Sequence, residues 1–248
     1  IDNDYNVTLS DVSISAANVK VVNNDTSGTI NISAATTIIS STIADVLEIV
    51  QNTGSTFTTA TNYAVTLSDS GTVNAANILA IDNDTTGIVT INNATAISGT
   101  IDNLNAIYNS TGISGLGDEN ISVTNTGTIN ATQVNDLLGE TSGTITFVGS
   151  GNLAITMTSG ETLNLSGITN SLSGNLTIED SAGNENITGT SVNDTLTLSS
   201  GNDTVNLGDG SDVINVTIGN LDISDNISDN GVSGTDTLNI TNSGTIDS

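Results

Sequence analysis

Residues 65–91 read VTLSDSGTVNAANILAIDNDTTGIVTI and residues 121–147 read ISVTNTGTINATQVNDLLGETSGTITF, at a constant offset of 56. An earlier copy, from Val7 to Ile32, aligns with one single-residue gap, so three copies recur with a period of 56 to 59. Such a repeat limits the fold more than anything else in the chain. A unit this small buries its apolar face only against its neighbours, which points to stacked units sharing one continuous core.

Within a copy a half-period of 28 is visible, since Ser70-Gly-Thr-Val73 recurs as Ser98-Gly-Thr-Ile101. Each half reads as a short strand, one or two helical turns, a glycine-containing turn and another strand. Ser15, Asn74 and Asn130 precede the helical stretches, where their side chains can accept an N-terminal amide proton. Asp25-Thr-Ser-Gly28, Asp84-Thr-Thr-Gly87 and Glu140-Thr-Ser-Gly143 are equivalent turns, with glycine available for positive φ. Residues 1–150 therefore read as a mainly all-β parallel solenoid with short helical corners, in copies near 7–64, 65–120 and 121–150. An antiparallel β-sandwich is the alternative, disfavoured by the helix signal in every copy. Residues 151–182 read as further coils of the same kind. Ile1–Asp4 matches Ile81–Asp84, and Ile240–Asp247 matches Val123–Asn130, which suggests an excised piece of a longer array whose ends abut other coils or identical subunits.

Composition removes most chemistry. The 27 acidic residues face a single basic one, Lys20, for a net charge of −26, and His, Cys, Pro and Trp are absent. Without imidazole or thiol there is no ordinary zinc, iron or copper site, no cysteine nucleophile and no Ser–His triad. Without Arg nothing clamps phosphate, so nucleic acid is excluded as a partner, and direct binding to anionic lipid is disfavoured. No apolar run approaches a membrane span, so no membrane insertion is expected. Disorder is the competing account of such charge, but 35% hydrophobic residues fall in alternating patterns such as Ile88–Ile91. Disulfides are unavailable, and abundant carboxylates suit a hard cation, of which calcium is plentiful outside cells.

From Gly183 the period changes. The chain reads GNENITGTS, VNDTLTLSS, GNDTVNLGD and GSDVINVTI, placing Glu185, Asp194, Asp203 and Asp212 nine residues apart. Ile187, Leu196, Val205 and Ile214 each follow two positions later. Two nonapeptides make one coil of 18, which stacks Glu185 on Asp203 and Asp194 on Asp212. A cation between stacked carboxylates would neutralise like charges that otherwise repel.

This stretch, from Gly183 to Val216, resembles the RTX family of nonapeptide repeats, which form a parallel β-roll with calcium in its turns. The resemblance implies an RTX-like β-roll over residues 183–218 and Ca2+ ligands among Glu185, Asp194, Asp203, Asp209 and Asp212. Paired glycines of the family pattern are mostly replaced here, as at Gly189-Thr190 and Ser199-Ser200, and Glu185 stands in place of Asp. Turns without metal are the alternative reading of the same residues. Residues 219–248 read as an acidic loop and the start of a further repeat, with Gly234–Leu238 as one isolated nonapeptide. Asp222, Asp225 and Asp229 are a separate calcium loop or solvated charge.

The long repeat also resembles arrays in very large surface proteins of aquatic bacteria, and RTX resemblance implies export by a type I system to the cell surface. The expected function is structural and non-enzymatic: a calcium-stabilised module of a surface layer, fibre or giant surface protein, assembling with copies of itself. A ligand-binding adhesin region for polysaccharide or ice is the alternative, weakened because Thr204/Asn206 and Val213/Asn215 break a strict Thr-x-Thr array. Asp69 and Asp82, as paired acids of a glycosidase, are rejected because they sit in recurring turns. A β-helical lyase, which needs Lys or Arg as its base, is disfavoured by their near absence, Lys20 being the single one.

Overall fold

The computed structural model describes residues 3–242, so Ile1, Asp2 and residues 243–248, with the parts of the terminal matches that fall on them, lie outside the described residues. Internal contacts divide the chain into two compact units, Ile1–Gly99 with Asn103–Glu119, and Thr100–Asp102 with Asn120–Ser248. The chain is mostly parallel β-sheet with five short helices among the described residues: α1 (Ala16–Asp25), α2 (Ile43–Gln51), α3 (Ala75–Asp82), α4 (Ile101–Asn109) and α5 (Ala131–Leu137). None of them is long and apolar enough to cross a membrane.

The helices form where small or aliphatic residues recur every third position. Ile43, Val46 and Ile49 in α2, Ala75, Ile78 and Ile81 in α3, and Ala131, Val134 and Leu137 in α5 are all buried. That spacing holds one stripe of each helix against the core. Asn74 caps α3 by accepting from the amides of Ala76 and Asn77, and Asn130 caps α5 within a full capping box. Ser15 makes no such bond. The first amide of α1, at Ala16, instead donates to Ser41 Oγ at 2.8 Å, and those of α2 and α4 donate to Asp69 Oδ2 (2.7 Å) and Asn125 Oδ1 (2.6 Å). Each of these three helix starts is thus stitched to a polar side chain about one lap further on, a partner no local signal predicts.

In the first unit, Val7 pairs with Ile30, Ile30 with Phe57, Val65 with Val89 and Val89 with Ile113, all in parallel. One lap of chain is therefore the stretch between such partners, twenty-three to twenty-seven positions long. The expected equivalence of half-repeats is corrected here: Asn74 pairs with Ser98, and Val73 is a strand residue whereas Ile101 opens α4. Both residues are buried, which is why their sequence contexts match. The turn glycines are corrected too. Gly28 and Gly87 do not adopt positive φ; a Cβ there would collide with the carbonyl oxygens of Tyr5 and Tyr63, so glycine is required by close approach. The lone Lys20, half-exposed, pairs with Asp45 at 3.4 Å and Glu48 at 3.0 Å on α2.

In the second unit, strands alternate between parallel sheets. One carries Gly127–Asn130, Leu153–Thr156, Leu176–Glu179, Thr195–Leu198, Val213–Thr217 and Thr237–Thr241 in spatial order; another carries Thr162–Asn164, Asn186–Thr188, Thr204–Asn206 and Asn226–Ser228. Inward positions form aliphatic columns, Ile178–Leu196–Ile214 in the first and Leu163–Ile187–Val205 in the second. Each such side chain contributes roughly 1.5–3 kcal/mol on burial. The pairs Leu153–Leu176 and Thr162–Asn186 mark laps as long as the shorter ones of the first unit. The laps then contract to two nonapeptides for the pairs Thr177–Thr195, Asn186–Thr204 and Thr195–Val213. They lengthen again at Thr204–Asn226 and Val213–Thr237, so the stretch read as an acidic loop contains two paired strands.

Candidate metal centre

The four nine-spaced acids each stand just before or at the opening of a strand, and all are buried: Glu185, Asp194, Asp203 and Asp212 expose 3% or less of their surface. What holds them inside is a backward stitch. Asp203 Oδ1 accepts the amide of Glu185 (3.0 Å), Asp212 Oδ1 that of Asp194 (2.8 Å), Asp225 Oδ1 that of Asp203 (3.1 Å) and Asp236 Oδ1 that of Asp212 (2.9 Å). The stacking of Glu185 on Asp203, and of Asp194 on Asp212, is as the doubled nonapeptide spacing predicts. Two edges result, one built on Glu185, Asp203 and Asp225, the other on Asp194, Asp212 and Asp236.

A further acid joins the first edge. Asp180 follows the strand Leu176–Glu179, its amide donates to Thr197 O, and its Oδ2 accepts from the Ser199 amide at 3.0 Å. Continuing the register of Glu179 with Thr197 places it one lap before Leu198, which pairs in turn with Val216; both are buried apolar residues. On the preceding lap buried Met157 follows Thr156, the partner of Glu179, so Asp180 puts a carboxylate inside an apolar column, between Met157 and Leu198. The nonapeptide reading begins at Gly183 and misses it; an acid two nonapeptides ahead of Leu198 is the available signal.

Ligand atoms of Asp180, Glu185 and Asp203 lie within 4.8 Å of one another. Asp180 Oδ1, Glu185 Oε2 and Asp203 Oδ2 are all buried with no hydrogen-bond partner. Their companion oxygens are held by protein donors, Glu185 Oε1 by the Gly160 amide (2.6 Å) and Ser181 Oγ (3.0 Å). Burial pushes the Asp180 carboxyl up to about 6 against the favourable Ser199 amide bond, and the charges of Asp203 and Glu185 push the same way. Asp203 is also raised, by burial first and then by its acidic neighbours Glu185 and Asp225, against the amide bond from Glu185. Like charges about 5 Å apart repel by roughly 3 kcal/mol at an effective dielectric constant near 20, so the cluster is costly unless positive charge enters.

The donor set fits a hard cation. Three carboxylates converge with free lone pairs, and every available ligand is oxygen. The backbone is shaped around them by glycine. Gly183 pairs with Gly201 in parallel; a Cβ on Gly183 would collide with Glu185 Oε1, and one on Gly201 would collide with the Gly183 carbonyl. Half-buried Asp180 and buried Glu185 and Asp203 could thus hold a metal ion between laps.

The remaining sequence candidates lie outside this trio of ligand atoms. Asp194 has both oxygens bonded by Thr190, and burial raises its carboxyl to about 6 despite those bonds. Asp212 is raised by burial, then by Asp236, Asp229 and Asp209, against the bond from the Asp194 amide. Asp209 accepts the Val232 amide at 2.6 Å in an outer turn. Asp222, Asp225 and Asp229 all accept backbone amides, from Ser224, Asp222 and Gly231. Compared with protein-family models, with curated proteins and with solved structures, the chain matches none.

Proposed function

We propose that this chain is a calcium-stapled structural segment of a bacterial extracellular surface protein, with no catalytic role. In this reading the parallel laps form a β-solenoid with helical corners, and the shortened laps form an RTX-like β-roll. Calcium held by Asp180, Glu185 and Asp203 clamps the start of that roll. The observation that carries the reading is the trio of buried, unpartnered carboxylate oxygens on those residues. A chain without disulfides needs another staple in an oxidising, calcium-rich medium, and a cation between laps supplies it. Its place would be a surface layer, fibre or giant surface protein, exported by a type I system and assembled from neighbouring copies or coils. The acidic chain, at −26, is suited to an environment where millimolar calcium offsets its self-repulsion.

Thermal melting followed by circular dichroism, in millimolar calcium and in excess chelator, tests the reading. Calcium should raise the melting temperature by several degrees or more, because an ion that binds only the folded chain stabilises it by mass action. Identical melts in both conditions would remove calcium from the account.

A further inference from the structure

We propose that Thr190 confines cation binding to one edge of the shortened laps, by satisfying from within the chain the carboxylate that would take an ion on the opposite edge. The inference rests on the reading that Asp180, Glu185 and Asp203 bind a divalent cation. The two edges start from equivalent geometry. Asp194 and Asp212 repeat the arrangement of Glu185 and Asp203, one lap apart, buried, and joined by an amide-to-carboxylate bond of 2.8 Å against 3.0 Å. Their free lone pairs end differently.

The Thr190 amide donates to Asp194 Oδ2 at 2.7 Å, and its hydroxyl lies 3.1 Å from Oδ1 and 3.0 Å from Oδ2. The same hydroxyl is 3.2 Å from Val192 O and accepts from the Val192 amide at 3.3 Å. Thr190 is 3% exposed, so these bonds are shielded from bulk water. A hydroxyl has one hydrogen, yet this one faces three acceptor oxygens, an environment that an oxygen-loving cation shares. The Thr190 hydroxyl occupies the position an ion would take.

The other edge lacks this closure. Nine residues before Thr190 stands Ser181, whose hydroxyl reaches only Glu185 Oε1 and leaves Oε2 buried and unpartnered. Nine residues before Gly189 stands Asp180, so one edge carries a third carboxylate where the other has a glycine. One edge has more acceptors than donors; on the other, Asp194 is matched by the chain itself.

Calorimetric titration of calcium into the full chain tests this with Thr190→Gly, which removes the hydroxyl and opens the space it fills. The variant should bind one more calcium per chain than wild type. Adding Asp194→Asn should abolish the extra ion, whereas adding Asp203→Asn should abolish the original one and spare the extra. An unchanged stoichiometry in Thr190→Gly, or an extra ion that survives Asp194→Asn, would overturn the proposal. So would a Thr190→Gly chain that stays unfolded by circular dichroism at millimolar calcium, because the ion must replace the hydroxyl. Should wild type bind no calcium and Thr190→Gly bind one, Thr190 keeps its role and the reading of the Asp180 cluster fails instead.

Discussion

Asp203 Oδ1 accepts the amide hydrogen of Glu185, one lap earlier, at 3.0 Å, while its Oδ2 is buried with no donor. The two oxygens of one carboxylate thus have separate roles: the first fixes the register of adjacent laps, and the second carries charge toward Asp180 and Glu185. Asp203→Asn keeps an acceptor for the amide and removes that charge. Calcium affinity should fall at least about tenfold, equivalent to ~1.4 kcal/mol. Asp194→Asn, on the opposite edge, should leave it within about twofold. Titration calorimetry on the two variants separates the edges, and equal losses would contradict the assignment of the ion to one of them.

Asp180 interrupts a column of Met157, Leu198 and Val216, so Asp180→Leu completes an apolar ladder and removes one charge from the cluster. In chelator the variant should be more stable than wild type by roughly 1–3 kcal/mol, because a half-buried, repelled carboxylate is replaced by a packed side chain. The calcium-induced rise in melting temperature should disappear. Denaturant unfolding with and without calcium checks both; a variant less stable in chelator would show that Asp180 is held by its Ser199 bond more than it is opposed by its neighbours.

Asp180 and Asp194 both have carboxyls pushed up to about 6, by burial first. In the unfolded chain an Asp titrates near ~3.9, so the folded state binds these protons more tightly. Their contribution to stability is present at pH below about 4 and is lost as pH rises through about 6. In chelator the unfolding midpoint should therefore be higher at about pH 5 than at about pH 7.5. Calcium should flatten or reverse that trend, because the ion requires the charged form. A midpoint in chelator that falls on acidification across that range would mean these carboxyls are stabilised as anions without any ion.

The parts legible in the sequence are those set by local or strictly periodic rules. Asn74 and Asn130 announce helix starts because a cap acts within the first turn, and the spacing of Glu185 and Asp203 announces their stacking because two nonapeptides make one lap. Long-range partners leave no such trace. The amides of Ala16, Ile43 and Ile101 find Ser41, Asp69 and Asn125 on the next lap, where nothing near the helix start marks them. Lap length is hidden from the sequence because burial asks the same residue type of strand Val73 and helix Ile101. Asp180 lies outside the nonapeptide pattern, in a column visible only once Leu198 and Val216 are in register. At Gly28 and Gly87 the sequence announces a turn, but the reason for glycine is a carbonyl from another lap.

The most direct test of the central claim is anomalous diffraction from crystals of the full chain grown with calcium and soaked with a lanthanide. One strong peak should lie among Asp180 Oδ1, Glu185 Oε2 and Asp203 Oδ2, at roughly 2.3–2.6 Å from each ligand oxygen. No peak at that position, with the three carboxyls instead protonated and hydrogen-bonded to one another, would contradict a cation-stapled fold.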